Sequence, residues 1–172
     1  PEDLRLVKGG PAERRRFMDL ELCQLSKVYC HDLQNYYKVL KQRNNLLKTA
    51  YKDNSLADTL DVWDMQLCMY GERIISARKK FAEKLNDISK KIHSGITDNK
   101  EELTVKFIPN SHEGSLEERL KSHRQKDMAF GATSCGPHKD DMAFFIDGND
   151  TKSYGSQGQQ RTASLSAKMA EI

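Results

Sequence analysis

Long apolar runs are missing from this chain. No stretch of its 172 residues approaches the length of a membrane span, and no charged-then-apolar leader opens it. No membrane partner is therefore expected. Cysteine is sparse: Cys23, Cys30, Cys68 and Cys135, none of them in a C-x-x-C pair. They read as small, reduced core residues of a cytoplasmic protein. An excess of one charge is missing too, since 28 Lys and Arg face 25 Asp and Glu for a net charge of +3. Total charge thus does not force a nucleic-acid reading, and what matters is where the charges cluster. Internal repeats and low-complexity tracts are absent. So is G-x-x-x-x-G-K-[ST], the loop whose lysine reaches terminal phosphates. The chain opens on "PEDLRLVKGGP" without Met and stops at "KMAEI" inside a helical pattern. An internal piece of a longer protein is expected.

What is present is mostly helical. Gly9, Gly10 and Pro11 punctuate a mixed opening, and Pro11 suits the first turn of a helix. From there to about Ala50 a helical pattern points Phe17, Leu20, Val28, Leu33, Tyr37, Leu40 and Leu47 inward, with room for a break between Ser26 and Tyr29. "YKDNSL" supplies a polar turn in which Ser55 would cap the next helix and Asp58 would approach a capping box. In that helix Leu56, Leu60, Trp63, Leu67, Tyr70, Ile74, Ala77, Phe81, Leu85, Ile88 and Ile92 recur at steps of four and three. The run makes roughly 55 Å of helix at 1.5 Å per residue. A short turn after a long helix favours an antiparallel helical hairpin over a parallel dimeric coiled coil.

After "HSGITDNKEE" the period changes. "LTVKFIP" alternates like a strand. "SLEERLKSHRQKD" opens on a capping box of Ser115 with Glu118 and predicts a short helix. "MAFGATSCGPH" and "DDMAFFIDG" predict two strands, with turn chemistry at Asp147 to Asp150. "TASLSAKMAEI" predicts a last helix with Leu165, Met169 and Ile172 on one face. The order predicts an α+β fold in which helices are inserted into a strand-bearing head.

Four stretches could carry chemistry. "SYGSQGQQR" is a polar, Gly-containing turn that opens a helix, where free N–H groups and the positive end of the dipole favour an anion, most naturally a phosphate. It lacks a base, a metal ligand and a cation to drive hydrolysis, so alone it is a binding element; the plain alternative is a solvated, capped turn. "MAFFID" invites a Walker B reading of Asp147, against a hairpin turn at Gly148 and Asn149. "CGPHKDD" gathers Cys135, His138, Asp140 and Asp141, but its spacing matches no standard zinc pattern and suits a turn. No metal site is expected there. Arg14, Arg15 and Arg16 with Lys8 nearby form the densest basic spot, and Lys38, Lys41, Arg43 and Arg78 to Lys80 add charge along the helices. These could touch a DNA backbone or line a solvated helix face.

Five blocks, "PEDLRLVKGGPAERRRFMD", "LKQRNNLLK", "WDMQLCMYGERI", "GPHKDDMAFFIDG" and "YGSQGQQRTASLSAKMAE", resemble in order those of the RecF family of bacterial recombination proteins. That family is similar to the ATP-binding heads of SMC and Rad50 proteins in the ABC ATPase superfamily. The resemblance implies that "YGSQGQQR" is a signature motif. Ser156, Gly158 and Gln159 would then face the γ-phosphate of ATP held by the other subunit of a dimer. Gln157 and Gly155 stand where the common signature has glycine and leucine, and Arg161 would begin the signature helix. Walker A would precede Pro1 and Walker B would follow Ile172, so no catalytic residue is expected here. Residues 1–10 would lead from the head into a helical lid or arm at 11–101, and 102–172 would return to the head. ATP and Mg2+ are implied for the full-length dimer, a slow ATPase, and none for this piece alone. Implied partners are double-stranded DNA at gaps or junctions, a second copy, RecR and RecO. A different class of reading is a non-enzymatic helical-hairpin adaptor, or a DNA-binding module with no nucleotide role.

Overall fold

The computed structural model describes residues 4–50 and 59–170. The fold is α+β, with seven α-helices and a small antiparallel sheet among the described residues. Chain contacts divide it into two units. One holds Pro1–Leu25, Arg78–Ile108 and Asp140–Ile172; the other holds Ser26–Ala77 and Pro109–Lys139.

The first unit is built on three strands in the order β1 (Leu103–Ile108), β2 (Asp141–Ile146) and β3 (Asn149–Asp150). β1 runs against β2 with Leu103 opposite Ile146 and Ile108 opposite Asp141. The alternation seen in sequence puts Leu103, Val105, Met142, Phe144 and Ile146 on one buried face. On the other face Lys106 lies 5.0 Å from the centre of the Phe145 ring. Asp147 and Gly148 turn β2 into β3 with φ of 49° and 79°. Two left-handed residues make the tight hairpin that follows strand twist. Asp147 is therefore a turn residue, and its Oδ1 accepts from the Glu102 N–H at 2.9 Å. Around the sheet stand α1 (Arg5–Lys8), α2 (Pro11–Leu25), the second part of α4 (Leu60–Ile96), α6 (Thr151–Tyr154) and α7 (Gln157–Met169).

The second unit pairs α3 (Lys27–Ala50) with the first part of α4 and adds α5 (Leu116–Phe130). Ser26 separates α2 from α3. Its Oγ accepts from the Tyr29 N–H and its carbonyl from the Cys30 N–H, a cap that starts a new helix. Asp32 pairs with Arg73, and Arg43 with Asp64. Numbers that rise along α3 meet numbers that fall along α4, which makes the hairpin antiparallel. Gly71 on α4 has no room for a side chain: a Cβ there would lie 2.5 Å from Leu116 of α5 and 3.3 Å from Tyr36 of α3. The expected caps at Ser55 and Asp58, and Leu56, lie outside the described residues.

Several expectations need correction. Leu20, Val28, Tyr37 and Ile88 are exposed, while Met18, Leu22, Tyr29, Tyr36, Ser89 and His93 are buried. The α4 seam runs at steps of four after Phe81, through Leu85, Ser89 and His93, and so leaves Ile88 outside. "MAFGATSCGPH" is no strand. α5 continues to Phe130 and ends at Gly131, whose φ of 64° makes the left-handed cap. The Ser115–Glu118 box does not form. Glu72 instead accepts from the N–H groups of Gly114 and Leu116 at 2.7 and 3.0 Å. On α7 the buried positions after Gln160 are small, Ala163, Ser164, Ser166 and Ala167, and Leu165 and Met169 face outward. Close packing against the sheet and α1 favours small side chains there, and Ile172 lies outside the described residues.

Candidate functional site

The polar turn sits between two helices, and each half of it has its own cause. Asp150 caps α6 by accepting from the Ser153 N–H. Gly155 follows in an extended conformation, pressed against the turn before it. A Cβ at Gly155 would come within 2.5 Å of the Thr151 carbonyl, so the fold itself demands glycine here. Gln160 is buried and its Nε2 donates to the carbonyls of Thr151 and Lys152, tying the first turn of α7 to α6.

Ser156 is the N-cap of α7 in a complete capping box. Its Oγ accepts from the Gln159 N–H at 3.1 Å, and Gln159 Oε1 accepts from the Ser156 N–H at 2.9 Å. The Gln160 N–H bonds the Ser156 carbonyl. Only the N–H groups of Gln157 and Gly158 are then without a partner inside the helix. Ser156, Gln157, Gly158 and Arg161 are exposed. A Cβ at Gly158 would meet nothing nearer than Ser156 Oγ at 3.8 Å. Unlike Gly155, Gly158 therefore has no packing reason within this unit. What its missing side chain leaves open is the approach to the helix end from outside. No acidic residue lies in the first turn of α7, and the helix dipole adds to the donors. The arrangement can hold an anion. Among Ser156, Gln157, Gly158, Gln159 and Arg161 it holds no general base.

The basic candidates divide. Arg14 is buried and fully engaged: Nε and Nη2 donate to the Asp141 carboxylate at 2.7 and 2.9 Å, and Nη1 to the Gly9 carbonyl at 2.8 Å. Arg15 donates to the Asp140 carbonyl at 2.8 Å. Arg14 is thus corrected from a phosphate contact to a pin between α2 and β2, and Arg15 is partly spent in the same way. Lys8 and Arg16 are exposed. The other basic runs give the same result. Arg78 is buried against Asp19 and Asp140, and Arg43 is buried against Asp64, Asp127 and Thr133.

The "CGPHKDD" residues are likewise structural. Asp140 and Asp141 hold Arg78 and Arg14. In the second unit, His138 hydrogen-bonds Tyr36 Oη at 2.7 Å and the Thr133 carbonyl at 3.0 Å. Cys135 is buried, and that burial, with Asp127 nearby, pushes its thiol up to about 11. No cluster of metal-ligating side chains occurs among the described residues. Two residues near the turn escaped the sequence reading: Glu101, which accepts from Gln159 Nε2 at 3.0 Å, and buried His93, whose Nε2 lies 3.4 Å from Glu101. The only signal for His93 was its place four residues beyond Ser89 on the buried stripe of α4. Glu101 carried none.

No family model matches the chain. Curated relatives do. DNA replication and repair protein RecF of Lachnospira eligens is 53% identical over 174 residues, and that of Lachnoclostridium phytofermentans is 51% identical over 172. The RecF of a Clostridium botulinum strain is 44% identical over 177. Each alignment covers all of this chain and 48% of the relative, so the chain spans about half the length of the proteins it matches. Two solved structures of the recombination mediator protein RecF in the RecFOR pathway, one with ATP and one with ATPrS, superpose with TM-scores of 0.95 and 0.93. Both are 34% identical to this chain, and 48% of each is covered.

Proposed function

The chain belongs to the RecF family, and we propose that within the full-length protein it supplies the signature turn and helical arm of an ATP-dependent DNA clamp for recombinational repair. On this reading the start of α7 binds the γ-phosphate of ATP held by a second copy. Gln157 and Gly158 offer backbone N–H groups, Ser156 and Gln159 shape the turn, and Arg161 adds a positive charge one turn along. Gly158 is the observation that carries the reading: a glycine the unit has no packing reason to keep, at the one place where an incoming phosphate needs bare backbone. ATP and Mg2+ belong to the full-length dimer, and neither is assigned to this chain alone.

ATP that touches both copies adds favourable contacts only in the dimer and so draws the equilibrium toward it. A dimer with paired arms encloses double-stranded DNA at gaps or junctions. Lys8 and Arg16 are the remaining backbone-contact candidates. RecR and RecO would be the partners, as the RecFOR pathway of the solved relatives suggests, and the work would be cytoplasmic. No described helix is long and apolar enough to cross a membrane.

The test is the solution mass of the full-length protein with and without ATP, for the wild type and Ser156→Arg. ATP should produce a dimer in the wild type only, with nucleotide binding by the mutant monomer retained. Equal masses throughout would leave a helical-hairpin adaptor with a merely capped helix.

A further inference from the structure

We infer that Glu101, anchored by His93, is a positioning residue that sets which way the Gln159 amide faces and so which donors the start of α7 presents. This deepens the phosphate reading of that turn and rests on it for its functional meaning, although the positioning can be tested without nucleotide.

The inference follows from what each group can donate. An amide side chain has one accepting and one donating end, and its two orientations are nearly equal in shape. A carboxylate only accepts. Glu101 Oε1 lies 3.0 Å from Gln159 Nε2, which holds the NH2 end of the amide toward Glu101. The oxygen end is thereby turned to the Ser156 N–H at 2.9 Å. With Glu101 absent, only the Ser156 N–H would hold the amide's orientation, and each reversal would set a donor against that N–H and open the capping box.

Glu101 is itself fixed from behind. Ser166 Oγ donates to the Thr162 carbonyl at 2.7 Å, so toward His93 Nδ1, 3.2 Å away, it accepts. Nδ1 is thus the donor toward Ser166, and Nε2 lies 3.4 Å from Glu101 Oε2. His93 is fully buried, and this Nε2 makes no hydrogen bond within normal limits, which leaves the carboxylate as the group it addresses. The path runs from α4 through the loop before β1 to the first turn of α7. It returns to α7 at Ser166, about two turns beyond Gln159.

The experiment is deuterium uptake by the full-length protein without nucleotide, comparing residues 153–162 with 163–170 in the wild type, Glu101→Gln, Glu101→Ala and Glu101→Lys. Glu101→Ala should raise exchange at Ser156 and Gln159 about tenfold while 163–170 stays protected. Glu101→Lys, which can only donate, should do the same by attracting the oxygen end of Gln159. Glu101→Gln should remain near wild type, because its carbonyl can still accept from Nε2. Unchanged uptake in both Glu101→Ala and Glu101→Lys, or equal loosening of 163–170, overturns the inference. ATP-driven dimerisation of the same variants separates it from the phosphate reading. Opened uptake with an ATP response that neither Glu101→Ala nor Ser156→Arg alters keeps the positioning role and removes the phosphate role.

Discussion

Arginines in this chain are easily misread, because the basic stretches hold buried ones, Arg14, Arg43 and Arg78. A buried guanidinium is held by carboxylates that are costly to leave unpaired. Arg78→Ala would take from Asp140, itself fully buried, its 3.1 Å ion pair and leave a cavity. The loss should be about 3–5 kcal/mol, read from denaturant unfolding. Gly158 makes the opposite case. Alanine fits there, and glycine in a helix costs up to about 1 kcal/mol against alanine. Gly158→Ala is therefore expected to raise the melting temperature while weakening ATP-driven dimerisation. A variant that is both more stable and fully able to dimerise would separate Gly158 from phosphate binding. Sequence alone showed the glycine, the serine and the three glutamines together. It did not show which glycine the fold requires, since that depends on the Thr151 carbonyl lying beside Gly155 and on open space beside Gly158.

Helix boundaries were legible where local chemistry decides them, and lost where a distant group takes over. Pro11 opens α2, Ser26 opens α3 and the positive-φ pair at Asp147 and Gly148 closes the hairpin, each from neighbours in sequence. Ser115 and Glu118 look like a cap but are outcompeted by Glu72, more than forty residues away in sequence. Glu72→Ala is expected to cost about 1–2 kcal/mol through two charge-assisted bonds to the start of α5. Glu118→Ala should stay within about 0.5 kcal/mol, as for an ordinary surface change. Matched thermal melts of the two variants decide between the caps. The strand predicted at "MAFGATSCGPH" failed for a related reason: Gly131 was read as part of a strand, and its left-handed φ makes it a helix end. The α4 seam was legible to Leu85. Beyond it the buried positions are Ser89 and His93, polar residues that a hydrophobic pattern passes over.

For the molecule as a whole, the α+β class could be read from the change of period near Leu103, and the antiparallel hairpin from the short polar turn between two long helical patterns. The division into two units could not, because each unit is assembled from separated segments whose ties are buried ion pairs. With no G-x-x-x-x-G-K-[ST] pattern in its sequence, the 172-residue chain purified alone is expected to show no ATP turnover above buffer. Phosphate release measured with and without DNA checks this, and sustained turnover would place catalytic residues within the chain itself.

Arg14 and Asp141 are 127 positions apart, yet they form one of the ties that close the first unit. A ribosome adds about 5–20 residues per second, so roughly 6–25 s separate the appearance of the guanidinium from that of its carboxylate. Through that interval α2 leaves the exit tunnel with an unmatched charge and an uncovered apolar side. That side of α2 stays uncovered while α3, α4 and β1 are being made, until β2 has been translated.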